Sequence, residues 1–333
     1  MIKYYFFILL FLIFYSCQDS KKVKHPPSFY YWKQEFSLNA NQKKLLKDLG
    51  SKELYVKFFD VKMINGRPEP VAKIDFRTSP SDYSIIPCVF ITNDIFSSDQ
   101  VSPEKLASRT VKLILSIAEN NKLSFKEVQF DCDWTLGSKE NYFRFLKKAS
   151  EQLSEKELSA TIRLHQYKYW KKTGVPPVDR GVLMCYNIGE IENINESNSI
   201  FSYDLVTQYL KKGMTYPLKS SIALPIYKWA LVYRLGQLSS ILNNVDVASM
   251  ENHIVSASNN RFLVKDNFYI NGQFLSTDDE IRFEEVDLKE LEQTAKLLSS
   301  LNFDKLIYYH LSQSNIEDYD KQQLDQINTL IYK

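Results

Sequence analysis

The sequence predicts a (β/α)8 barrel, on the strength of three observations. Short apolar runs alternate with longer amphipathic stretches, the pattern of βα units around a parallel sheet. Eight such runs can be counted: Phe29–Phe36, Leu54–Val61, Ile85–Thr92, Glu127–Trp134, Leu158–Gln166, Gly181–Asn187, Ser221–Tyr227 and Lys305–Leu311. Residues 29–333 exceed the usual length of about 100–200 residues per domain and suit one large barrel.

Each element has a local reason. The strands are rich in β-branched and aromatic residues, and several are apolar throughout, as expected where both faces are covered. Ser102-Pro103-Glu104 sets a cap, a first-turn proline and an acid in order, and Leu106, Leu113, Ile114 and Ile117 follow at helical spacing. Ser138 precedes a second helix carrying Tyr142, Phe145, Leu146 and Leu153. Leu288 to Leu301 and Tyr319 to Tyr332 predict two more. The rhythm breaks between the seventh and eighth runs, where an insertion of about 229–287 is expected. It should hold a helix over Trp229–Leu242 and a hairpin turning at Asn271-Gly272, a strong turn signal between apolar residues.

The N-terminus carries an address. Met1-Ile2-Lys3 is followed by an apolar run from Tyr4 to Tyr15 and then Ser16-Cys17-Gln18-Asp19. A charged start, an apolar stretch of about 7–15 residues and a small-residue cleavage site define a secretory signal peptide, and a bilayer span needs about 20. The Ser16-Cys17 junction resembles the lipobox of bacterial lipoprotein precursors, with Phe14 where leucine is usual. That resemblance implies residues 1–16 as signal peptide and a lipid on Cys17 as membrane anchor, with the protein exported to the cell envelope. Polar, lysine-rich residues 17–28, with Pro26-Pro27, are expected to be a flexible tether.

Composition excludes several classes. The net charge of +2 gives no electrostatic case for a nucleic-acid partner. Only 9 glycines and no Gly-rich phosphate loop argue against a nucleotide, and neither HExxH nor GxSxG occurs. No cofactor is expected. Cys88, Cys132 and Cys185 lie in apolar runs without CxxC spacing, which disfavours zinc. They are either one disulfide with a free thiol or, the better reading, buried small hydrophobes.

The chemistry concentrates in Gln129-Phe130-Asp131-Cys132-Asp133-Trp134-Thr135. A period of two puts Gln129, Asp131, Asp133 and Thr135 on one face and Phe130, Cys132 and Trp134 on the other. Helices cover the outside of a barrel, so the apolar set faces out and the carboxylates face in. Paired acids push one pKa upward, and strand carboxyl ends are where barrel enzymes hold their reactive groups. Arg163 and His165 share a face on the next strand, and Arg163 is placed to neutralise either aspartate or bind an anion. Glu35, Lys57, Asp60, Tyr186, Asn187, Tyr227, Trp229, Tyr309 and His310 also fall at or near strand ends. The alternative for the aspartates is an internal ion-pair network with Arg163 or Lys57.

Asp131-Cys132-Asp133-Trp134-Thr135, with Met184-Cys185-Tyr186-Asn187 on the sixth strand, resembles the DxDxE and MxYD signatures of family 18 glycoside hydrolases. The whole chain is also similar to Bacteroidota lipoproteins with barrels of this group. The resemblance implies a glycan ligand, with Asp133 orienting an acetamido group and Tyr186 bonding its carbonyl. Thr135 stands where the family's glutamic general acid would be, and Asn187 where it has aspartate. Threonine is no useful proton donor at neutral pH, so the family's substrate-assisted hydrolysis should fail. Asp131, Asp133 and Glu35 remain as candidate catalytic carboxyls for another mechanism. Arg163, His165, Tyr186, Asn187, Tyr227, Trp229 and His310 are the candidate glycan-binding residues. Two readings follow: a glycan-binding or glycan-processing barrel, or an inactive barrel serving as a binding scaffold.

Overall fold

The computed structural model describes residues 24–243 and 245–333. The expected signal peptide over residues 1–16 and the expected lipid-bearing Cys17 lie outside the described residues.

Eight parallel strands form the barrel wall: Ser28–Tyr31, Glu53–Ile64, Ser84–Ile91, Glu127–Asp131, Glu157–Arg163, Arg180–Met184, Lys219–Pro225 and Phe303–Tyr309. They match the eight predicted runs in order. The first strand closes the sheet by pairing in parallel on both sides, Phe29 opposite Leu54 on one and opposite Tyr308 on the other. Arg67–Val71 adds an antiparallel edge to the second strand, and its two prolines remove ladder donors from that edge.

The helices begin where the sequence places them. Ser102 caps Pro103–Asn120, and Asp287 caps Leu288–Leu298 by accepting from Lys289 N at 2.7 Å. Lys321–Ile331 starts with a reciprocal Asp320–Gln323 box. Lys139–Gln152 packs the outer face of the fourth strand: Phe130 meets Phe145 edge-on at 5.0 Å, and Trp134 stacks on Tyr142 at 5.5 Å. Phe130, Cys132 and Trp134 therefore face outward as the period of two requires. Cys88, Cys132 and Cys185 are free and buried.

Between the seventh and eighth strands the expected helix over Trp229–Leu242 does not form. Trp229–Arg234 and Gln237–Asn243 make a β-hairpin, turning at Leu235 (φ 52°) and Gly236 (φ 76°). Two successive positive φ values are the mark of a tight hairpin turn, and the aromatic and β-branched residues of Trp229–Tyr233 suit a strand. The hairpin belongs to a five-stranded antiparallel sheet with Glu280–Glu284, Arg261–Val264 and Ile254–Ser258. The second hairpin turns at Asn271-Gly272 as predicted, joining Phe268–Ile270 to Gln273–Leu275.

Part of the expected tether is also structured. Lys24 Nζ meets Asp325 at 2.8 Å and His25 O accepts from Asn328 Nδ2 at 2.9 Å, so residues 24–28 dock on the closing helix. The chain thus enters at the amino ends of the strands, opposite the barrel mouth.

Arg282 ties the inserted sheet to the loop after the sixth strand. It is wholly buried, with Nε on Glu284 Oε1 at 2.7 Å and Nη1 on the carbonyls of Asn193 and Ile194 at 2.7 and 3.1 Å. Breaking such a pair strands the remaining charge. Arg282→Leu is expected to cost about 3–5 kcal/mol in chemical denaturation; a loss under about 1 kcal/mol would contradict this assignment.

Candidate functional site

At the mouth, strands four to six supply the polar groups and strands one, three and eight the aromatic ones. The fourth strand ends at Asp131 and the fifth at Arg163, so residues beyond each turn outward over the rim. Asp131 is buried and accepts from Thr161 Oγ1 at 2.7 Å. Below it, Tyr30 Oη donates to Gln129 Oε1 at 2.7 Å, closing the polar column. Asp133 is about half exposed and is gripped side-on by Arg163: Nη2 meets Oδ2 at 2.7 Å and Nε bonds Oδ1. Lys57 pairs instead with Asp60 at 3.2 Å and sits 5.7 Å from the Trp32 ring.

These groups line a cavity of about 200 Å³ with Tyr30, Trp32, Phe90, Met184, Tyr186, Asn187 and Tyr309. Asp133, Arg163, Met184, Tyr186 and Asn187 also line an adjoining hollow of about 260 Å³, where His165 joins. Tyr186 stacks on Tyr309 at 4.8 Å. Asn187 adopts a left-handed φ of 51° and accepts a hydrogen bond from the buried Tyr227 hydroxyl.

Electrostatics follow from this packing. Burial, with Asp133 next, pushes the Asp131 carboxyl up to about 6, against the opposing Thr161 hydrogen bond. Burial works against the Arg163 charge, but the bonds to Asp133 outweigh it and hold the guanidinium above its ordinary value. Burial and then Arg163 lower the His165 imidazole. Burial raises the Tyr186 hydroxyl well above its usual range.

The sequence reading and the structure agree unevenly. Asp131, Asp133, Arg163, Tyr186, Asn187 and His165 come together. His165, however, is the second residue of a short helix, Leu164–Lys168, rather than a strand residue. Glu35 does not reach the mouth; it lies on a separate two-residue strand, largely exposed and 3.4 Å from Arg77. The first strand stops at Tyr31, which removes Glu35 from its inward face. Trp229 donates to Glu284 Oε2 at 2.7 Å and packs on Tyr227, lining a different cavity of about 500 Å³ against the inserted sheet. Its indole is thus committed to the insertion. His310 follows the last strand residue outside the mouth lining; burial, with Lys33, lowers it to about 4, so it is neutral at pH 7. Thr135 is exposed and off the cavity, its N–H donating to Ser138 Oγ at 2.9 Å and its hydroxyl 3.3 Å from the same atom. Tyr30, Trp32, Phe90 and Thr161 also line the cavity, and alternation is the one sequence signal for them, since it puts Tyr30 on the face of Trp32 and Thr161 on that of Arg163.

The fold is shared with solved structures. The Bacillus cereus spore cortex-lytic enzyme SleL superposes with a TM-score of 0.53 at 15% identity, covering 94% of this chain and 75% of its own. What is shared is the fold, a closed barrel of eight parallel strands. A chitinase from Chromobacterium violaceum gives 0.50 at 11% identity over 89% of this chain and 98% of that one. The chitinase-like agglutinin of Robinia pseudoacacia gives 0.51 at 9% over 91% and 99%. No protein-family model matches the sequence, and the curated proteins compared with it give no match. Among the described residues no group of three or more His, Cys, Asp or Glu is arranged to hold a metal ion.

The raised Asp131 pKa carries a sign. Its folded value, about 6, lies above the unfolded value of 3.8, so the native state binds more protons between them. Stability therefore falls as pH rises through that window and stays reduced above it. Asp131→Asn, which still accepts from Thr161, should abolish this slope and raise stability at pH 7 by about 3 kcal/mol. Thermal unfolding from pH 4 to 7 measures both, and parallel curves for the two proteins would refute the burial argument.

Proposed function

We propose that this chain is an envelope lipoprotein, anchored through a lipid on Cys17, whose glycoside-hydrolase-like barrel binds a glycan at its mouth without hydrolysing it by the substrate-assisted route. The observation that carries the reading is the pairing of Asp133 with Arg163, beside a Thr135 turned away from the cavity. The carboxylate that would orient a reacting acetamido group is already engaged, and the position that would donate a proton lies outside. The cavity suits a sugar, since Trp32, Tyr186 and Tyr309 offer ring faces and Asp131, Arg163 and Asn187 polar ends. The neighbours of this fold include enzymes and a chitinase-like agglutinin, so the scaffold is compatible with binding alone.

The anchor fits this geometry. Residues 17–24 span about 25 Å at most, and Lys24 is held at the closed end of the barrel. The mouth then faces away from the lipid surface. Among the described residues no helix is long and apolar enough to cross a membrane. Cys17→Ala is expected to move the protein from the membrane to the soluble envelope fraction; unchanged fractionation would remove the anchor.

A second reading is favoured by one observation. A carboxyl near 6 inside a cavity is a usable general acid, so Asp131 would be the proton donor of a different hydrolytic mechanism. A panel of chito-oligosaccharides and peptidoglycan fragments separates the two. Binding without release of reducing ends supports the proposal, and turnover lost in Asp131→Asn supports the second reading. Thr135→Glu should leave hydrolysis absent, because the residue lies off the cavity. Activity gained on that substitution would overturn the placement.

A further inference from the structure

The outer wall of the barrel is incomplete on one side. After the second strand, Glu53–Ile64, the chain turns into Arg67–Val71 and Asp75–Phe76 and reaches the third strand, Ser84–Ile91, without forming a helix. Phe59 and Val61 share the outward face of the second strand. The helix that would cover them in a regular βα unit is missing, and a groove of about 330 Å³ remains. Pro68 and Pro70 wall it on one side, and Leu106 and Leu113 of the Pro103–Asn120 helix on the other. The groove shares no lining residue with the mouth cavity.

Its rim carries one sign of charge. Lys73, Arg109 and Lys112 line the groove, and no acid does. Arg109 approaches Glu69 at 3.8 Å, but both side chains are well exposed and such a pair is weak. Lys73 and Lys112 have no ion-pair partner among the described residues. An apolar trough edged by free ammonium groups complements an anionic amphiphile. The volume is at the lower end of the range for small-molecule pockets, about 300–1,000 Å³, and suits one alkyl chain. A single turn of helix, about 10–12 Å across and 5.4 Å long, is larger than the groove. An incoming strand meets Pro68 and Pro70, which blunt the adjoining sheet edge.

We propose that this groove binds a single-chain carboxylate of the fatty-acid class, with its alkyl chain against Phe59, Val61, Leu106 and Leu113 and its carboxylate held by Lys73 and Lys112. Apolar burial supplies the affinity, and the ammonium groups select the head. The groove is separate from the mouth, so this inference stands whether or not a glycan binds there.

The test is photolabelling of the full-length protein, in a neutral maltoside, with a diazirine-bearing dodecanoic acid. Labelled peptides are mapped by mass spectrometry and should fall in residues 68–73 and 106–116. Unlabelled dodecanoate should compete about fivefold better than dodecanol, the worth of a good exposed ion pair, and dodecylammonium should compete worst. Replacing both lysines, Lys73→Glu with Lys112→Glu, should erase the preference for dodecanoate. Leu113→Glu should lose the label itself, because it sets an acid in the trough. Circular dichroism checks both variants, and if one is unfolded the other carries the test. Label on other segments, or undiminished label in Leu113→Glu, overturns the groove. Equal competition by dodecanoate and dodecanol overturns the carboxylate and leaves an uncharged chain, such as the lipid proposed on Cys17. Preference for dodecylammonium overturns the charge argument.

Discussion

The first strand pairs with both the second and the eighth, and that closure sets the terms for everything inside the wall. A closed parallel barrel of eight strands has an interior just wide enough for side chains to fill. Polar groups pointing inward must therefore find partners or lose free energy. Tyr30 finds Gln129, and Asp131 finds Thr161. Above Asp131 the column opens into the mouth cavity.

The Asp133–Arg163 pair gives that mouth its character. An isolated surface ion pair contributes little, but this one is side-on and lies at the rim, with the guanidinium mostly buried. It fixes the guanidinium and occupies the carboxylate. The same contact that prepares a binding site thus withdraws a group from chemistry. The loop from Thr135 to Ser138 reinforces this, since its hydrogen bonds serve the start of the following helix rather than the cavity.

Much of the fold is legible in the sequence because the barrel strands are covered on both faces. Their side chains make apolar runs, such as Leu54–Val61, that few other environments permit. The insertion is harder. Trp229-Ala230-Leu231-Val232-Tyr233 is apolar enough for either element, and the decision sits in the paired positive φ values of Leu235 and Gly236. At the site, Asp131 and Arg163 follow from alternation, while Asp133 lies two residues past the end of its strand and is placed by its pairing with Arg163. Glu35 fails because the first strand ends four residues earlier, a boundary no pattern of two marks. Trp229 is misplaced because its partner, Glu284, lies 55 residues away on a strand the sequence does not announce.

The most direct measurement is a crystal structure of the protein grown with an N-acetylated tetrasaccharide. The account predicts an intact glycosidic chain in the mouth, with Asp133 still on Arg163. A cleaved sugar, or Asp133 turned from Arg163 onto the ligand, would contradict it.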